Sequence, residues 1–143
     1  MDDLTASGVL RLPVRLQGIQ LGRPVDLLLA TETWQALGFV VRCGDESERF
    51  LPYAASQTSA AEIAVGSALM LLDDVGFYRG RAASFRGLLG REVERHGRPA
   101  GSLRDLVLGP RGEVTELLVE LGGARIRVLA AGCRVASPRA SAA

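Results

Sequence analysis

The sequence predicts an all-β protein built from two tandem small β-barrels of about five to six strands each. Three observations carry this expectation. The chain repeats itself: Gly18-Ile-Gln-Leu-Gly22-Arg-Pro-Val-Asp26 recurs as Gly97-Arg-Pro-Ala-Gly101-Ser-Leu-Arg-Asp105, displaced by 79 residues. Apolar and polar residues alternate over short runs, the period of a half-buried strand, and no convincing long helix intervenes. Each repeat is also short, roughly 60 to 70 residues, so its core is thin and its sheet edges need closing off.

The register extends beyond the motif. Leu10 answers Leu89, Val14 answers Val93, Leu27 answers Leu106 and Leu29 answers Leu108. Over 14–29 against 93–108, six of sixteen positions are identical. After one residue is dropped from the second copy, Val41 meets Val119, Gly44 meets Gly122 and Leu51 meets Leu129.

The elements follow in order. Leu10, Leu12, Val14 and Leu16 alternate and predict a first strand, with Gly18 and Gly22 bracketing a hairpin. Pro24 to Ala30 reads as a second strand, apolar enough to be buried on both faces. A turn at Glu32-Thr33-Trp34 leads to a strand over 37–43. The polar turn Gly44-Asp45-Glu46-Ser47 leads to a strand over 49–53, where Pro52 belongs at an end or edge. Residues 54–61 form a loop or one helical turn, and 62–72 a fifth strand. The second copy predicts strands over 88–95, 103–108, 114–121, 125–129 and 133–136. Gly109-Pro110-Arg111-Gly112 is a turn, because proline pre-sets the first turn angle. Gly122-Gly123 allows a tight hairpin.

These runs divide the chain into a first unit at 1–73, a linker at 74–85, a second unit at 86–138 and a disordered tail at 139–143. The linker holds Phe77, Tyr78 and Phe85, half of the chain's four Phe and two Tyr. Rings of that size favour burial, so the linker is expected to dock the two barrels against each other.

Charge excludes some classes of partner. The net charge is +1, too small for a whole-molecule field that attracts nucleic acid or anionic lipid. All 17 basic residues are arginine, which favours bidentate pairing with carboxylates. Residues 1–72 hold five Arg and eight acids, and residues 73–143 hold twelve Arg and eight acids. That asymmetry is ordinary drift, an electrostatic match between halves, or a mildly basic second face. The acidic start, Met-Asp-Asp-Leu-Thr, has no apolar signal core, so a cytoplasmic setting with Cys43 and Cys133 reduced is expected. The longest apolar stretch, 63–72, is too short for a transmembrane segment.

At this level of detail the chain resembles the PRC-barrel family. That domain is shared by the cytoplasmic part of the photosynthetic reaction centre H subunit and the C-terminal part of a bacterial ribosome maturation factor. The likeness rests on Leu89-Gly90-Arg91-Glu92-Val93, then Gly97, Gly101 and Asp105, then Leu106-Val107-Leu108, the turn 109–112 and Leu117-Leu118-Val119. The first copy keeps Gly18, Gly22, Asp26, Leu27, Leu29 and Phe50-Leu51-Pro52, and lacks a Leu-Gly-Arg opening at 10–12. The resemblance covers nearly the whole chain. It implies a bacterial β-barrel binding or assembly module with no catalytic set, and a peripheral association with a membrane complex as one setting.

Several residues stand out as candidate sites. Asp26 and Asp105 each precede an apolar strand. They form either a carboxylate pair for an ion or arginine partner, or two turn caps accepting backbone amides. Gly18, Gly22, Gly97 and Gly101 lack G-x-G-x-x-G and G-K-[ST] and do not open a helix, so turn geometry explains them better than phosphate binding. His96 is the single histidine and sits on a polar hairpin. With two distant cysteines it supplies too few ligands for a recognisable metal centre. Cys43 and Cys133 read as small hydrophobes, with no Cys–His pair required by the sequence.

Trp34, at a turn, either folds back onto the core or anchors a partner. Phe77, Tyr78, Arg79 and Arg81 are the remaining candidate interaction residues, with Arg86 nearby. Arg79, Arg81 and Arg86 form a solvated face, pair with Asp73 and Asp74, or contribute to an RNA-contacting patch with the rings.

The function expected from these features is a non-enzymatic protein-binding or assembly module without cofactors, whose partner is another protein or a second copy. One alternative is an RNA- or ribosome-associated maturation-type factor, against which the neutral charge stands. Another is a small-ligand binder with its site between the barrels, for which the sequence names no convergent polar set.

Overall fold

A computed structural model describes residues 3–135. The expected tail at 139–143 and the last residues of the second unit, to 138, lie outside the described residues. The chain opens with β1 (Leu4–Thr5) and one helical turn, α1 (Ala6–Val9). Then come β2 (Val14–Leu16), β3 (Ile19–Ala30), β4 (Gln35–Cys43), β5 (Glu48–Pro52), β6 (Ser56–Thr58) and β7 (Ile63–Val65). The middle of the chain forms α2 (Val75–Arg79), β8 (Ala83–Ser84) and α3 (Phe85–Leu88). The chain continues with β9 (Glu92–Arg95), β10 (Arg98–Leu108), β11 (Val114–Leu121), β12 (Ala124–Leu129) and β13 (Cys133–Val135).

The protein is all-β, with two curled sheets. One runs β5-β4-β3-β2-β7-β6, with β8 added on β3; the other runs β12-β11-β10-β9-β13, with β1 added on β10. Among the described residues every strand pairing is antiparallel except β2 with β7.

Both repeats open differently from the expected strands at 10–16 and 88–95. Thr5 and Ser84 each accept the backbone N–H three residues on, from Gly8 and Gly87, at 3.1 Å. Those caps start a helical turn, so the strands begin only at Val14 and Glu92. The expected fifth strand over 62–72 is likewise cut short: β7 ends at Val65, and a 3₁₀ turn follows at Ala68–Met70, capped by the Ser67 hydroxyl.

The hairpin turns are also smaller than the glycine spacing implies. They consist of Gln17-Gly18 (φ 49° and 82°) and His96-Gly97 (φ 53° and 79°). Two residues in the left-handed region make a type I′ turn. Gly22, Asp26, Gly101 and Asp105 therefore lie inside the long strands β3 and β10, not in turns. Glycine is needed at 22 and 101 for close approach. A Cβ at Gly22 would stand 2.4 Å from the Arg42 carbonyl oxygen, and one at Gly101 2.5 Å from that of Glu120. Both lie at register shifts, where a bulge bends the strand.

Strand pairing refines the repeat. Asp26 faces Val40, which faces Phe50; Asp105 faces Leu118, which faces Arg127. Phe50 thus corresponds to Arg127 and Leu51 to Val128, one residue away from the sequence match of Leu51 with Leu129. The different lengths of the β4–β5 and β11–β12 turns account for the slip.

One hydrophobic core spans both sheets. It joins Leu27, Leu29, Phe39 and Leu51 of the first to Leu103, Leu106 and Leu117 of the second, all fully buried. The sheets also share backbone bonds: Val114 N–H donates to the Trp34 carbonyl, and Ala36 N–H to the Gly112 carbonyl, both at 2.7 Å. A smaller cluster, Leu28, Val40 and Phe50, lies on the outer face of the first sheet under Leu72, Val75 and Tyr78.

Candidate interaction sites

The two aspartates sit on different sheets and receive the same kind of guest. Asp26 Oδ1 accepts the N–H of its neighbour Leu27 at 2.8 Å and that of Arg86 at 3.1 Å. Asp105 Oδ1 accepts Leu106 N–H at 2.8 Å and Ser7 N–H at 3.0 Å. The second carboxylate oxygens accept hydroxyls, from Ser84 on Asp26 and from Ser7 on Asp105. Each carboxylate therefore holds the first turn of a helix that belongs, by sequence, to the other repeat. The strand pairings repeat the exchange: Leu4 faces Leu108 and Thr5 faces Val107, while Ala83 faces Leu29 and Ser84 faces Leu28. The strand pairs and the backbone donors Ser7 and Arg86 are related by the same 79 residues; only the hydroxyls come from non-equivalent positions, Ser7 on Asp105 and Ser84, the counterpart of Thr5, on Asp26.

Sequence reasoning missed the segments at 4–10 and 83–89 because their match is weak. Its traces are Gly8 with Gly87, Thr5 with Ser84, and Leu10 with Leu89. The segments drive apolar side chains into the core: Ala6, Val9, Phe85 and Leu88 are buried. Burying a Phe or Val side chain contributes about 1.5–3 kcal/mol.

Of the linker rings, only Phe85 enters the common core. The expectation that Phe77 and Tyr78 dock the halves together is corrected. Asp74 accepts Phe77 N–H and caps α2, which lies along β5. Tyr78 stacks on Phe50 with ring centroids 4.0 Å apart, on the outside of the first sheet. Phe77 is 46% exposed, and the Arg81 guanidinium lies 3.8 Å above its ring. Arg79 pairs with Glu48 at 3.0 Å, and Arg42 reaches the same carboxylate at 3.1 Å. Arg42 chiefly, with Arg79, holds the Glu48 carboxyl below the usual glutamate range. Asp73 pairs with Arg49 instead of the linker arginines, and Arg86 donates to the Val25 carbonyl.

Trp34 lies in the seam between the sheets. Its ring is buried, and its indole N–H donates to the Cys133 carbonyl at 3.1 Å. Gln35 beside it donates to the Arg111 carbonyl at 2.9 Å. A recess of about 610 Å³ opens between Leu29, Glu32, Arg79, Arg81, Ser84 and Leu88. Much of its polar lining is engaged elsewhere, Arg79 by Glu48, Arg81 by Phe77 and Ser84 by Asp26.

His96 is exposed in its turn, and its ring packs over Gly132. Burial pushes the thiols of Cys43 and Cys133 up, away from the reactive thiolate. Among the described residues, no three His, Cys, Asp or Glu side chains gather as a metal site, and no helix is long and apolar enough to cross a membrane.

The least covered strand is β12, with Ile126 and Leu129 exposed. It pairs with β11 and, among the described residues, with no other strand. Its counterpart β5 is covered: Phe50 N–H donates to the Leu72 carbonyl and Leu72 N–H to that of Phe50, both at 2.8 Å. The turn at Gly122-Gly123 has φ of 60° and 82°, so Leu121 and Ala124 bond each other. Counting outward from that pair, Arg125, Arg127 and Leu129 direct their backbone groups to the open edge.

No protein-family model matches the chain, and no curated protein matches it.

Proposed function

We propose that the chain is a non-enzymatic protein-binding or assembly module of the PRC-barrel type, two tandem small barrels whose open edge at β12 takes an extended strand from a protein partner. The observation that carries this reading is the contrast between the equivalent strands β5 and β12. On β5, the outer N–H and C=O of Phe50 are both satisfied by Leu72. On β12, the matching groups of Arg127 face outward beside the exposed side chains of Ile126 and Leu129. An edge of this kind adds a strand through main-chain hydrogen bonds, with side-chain contacts supplying selectivity.

The test replaces Arg127 by proline, which removes the outward N–H and is tolerated on an edge strand. Arg127→Ala is the control, because Arg127 also pairs with Asp3 and Glu116. Tagged full-length chain captures its partner from a lysate of the source cells. Binding that survives Arg127→Ala and is lost in Arg127→Pro is the expected result. Binding indifferent to the proline removes the edge-strand reading. Capture of RNA with steep salt dependence would replace it by the maturation-factor alternative.

A further inference from the structure

The same docking contact occurs twice in this chain, and each time the guest segment comes from the other repeat. On Asp105 the guest is residues 4–10; on Asp26 it is residues 83–89. Both guests begin with two residues paired to the host strand, continue through a Thr or Ser cap, and turn one helical turn with glycine as its third residue. In both, the host carboxylate accepts one backbone N–H and one hydroxyl from the guest. The apolar residues that follow the cap, Ala6 and Val9 or Phe85 and Leu88, fill the core behind it.

We propose that the cleft around Asp105 is a segment-recognition site that also works between molecules, so that two copies of this chain associate by exchanging residues 4–10. This deepens the assembly reading and rests on it. Three observations support the exchange. The host half of the site is made by β10 and its neighbours, far along the chain from its guest: Ser7 and Asp105 are 98 residues apart. No covalent neighbour helps to define it. The Asp26 site holds the matching segment at a different separation, 58 residues from Asp26 to Ser84, so the contact does not require one fixed spacing along the chain. Lastly, the guest joins the rest of its repeat through Arg11, Leu12 and Pro13, which belong to no strand or helix.

The second copy is the fitting partner because it carries the guest sequence that the site already holds. A reciprocal exchange also leaves no site empty, which makes a closed two-fold dimer instead of a growing chain.

The test uses full-length chain with Cys43 and Cys133 replaced by alanine. Ser7→Cys in one preparation is mixed at high concentration with Asp105→Cys in another and then oxidised. A disulfide-linked heterodimer is expected, absent when Ser7→Cys is mixed with Glu46→Cys, whose position lies in a remote exposed turn. The double variant Ser7→Cys/Asp105→Cys, kept dilute, should close within one molecule. Internal closure of the double variant with no heterodimer from the mixed singles overturns the exchange.

Light scattering on the unaltered chain gives an independent reading that needs no variant to fold. A dimer fraction that rises with concentration is expected, and a monomer at every concentration overturns the proposal. A monomeric chain whose partner is still lost on Arg127→Pro would sink the exchange and leave the edge-strand reading standing. A dimer that captures nothing through β12 would do the reverse.

Discussion

Trp34 holds a left-handed backbone, φ 52°, which is costly for a bulky side chain. Three contacts retain it there: burial of the ring between the sheets, the indole bond to Cys133, and the bond from Val114 to its own carbonyl. Trp34→Phe keeps most of the packing and deletes the indole donor, leaving the Cys133 carbonyl short of a partner. We expect a loss of about 1–3 kcal/mol in urea unfolding. Trp34→Ala also opens a cavity, and should lose about 3–5 kcal/mol. Equal stability of wild type and both variants would place the ring outside the seam. At the same scale, the aspartates show how one residue type can serve two geometries: a carboxylate four residues after a glycine reads as a turn cap, and here it caps a turn supplied by another part of the chain.

Among the elements, α2 shows which aromatic side chains matter. Tyr78 stacks on Phe50 in a small cluster, whereas Phe77 is nearly half exposed beneath Arg81. Tyr78→Ala should therefore lower the melting temperature by several degrees, and Phe77→Ala should shift it much less. A larger effect at Phe77 would contradict the placement of the helix.

Glu48 ties α2 to β4 and β5 through Arg42 and Arg79. Its carboxyl pKa is lowered in the folded state, so its contribution is present above the unfolded glutamate value of about 4.3 and is lost as pH falls through the lower folded value. A Glu48→Gln variant should melt slightly below wild type at neutral pH, with the gap closing in acid. A gap that widens in acid would give the contribution the wrong sign.

At the scale of the whole molecule, the exchanged segments, the shared core and the seam bonds bind the two repeats into a single unit. Calorimetry should show one transition, with calorimetric and van't Hoff enthalpies equal. Two separated transitions would mean that each repeat folds without the other. The two outer faces differ in what covers them. The first sheet lies under α2, while on the second Arg127 pairs with Asp3 and Glu116. The edges differ as well: Leu72 bonds Phe50 on β5, whereas among the described residues no strand pairs with the outer side of β12.

Local chemistry made the all-β class readable in advance, along with the strands around 24–30, 37–43 and 114–121 and the Gly122-Gly123 hairpin. Alternation, glycine and proline act over a few residues and leave marks in the one-dimensional pattern. The 79-residue repeat was legible for the same reason, since it compares residues with residues. The roles of Gly22 and Gly101 were not, because a neighbouring carbonyl oxygen sets that need from across the sheet. Nor was the destination of the opening segments. Ser7 and Asp105, or Arg86 and Asp26, meet only when two distant stretches share a core, and a short helical turn carries too little intrinsic preference to announce where it will dock.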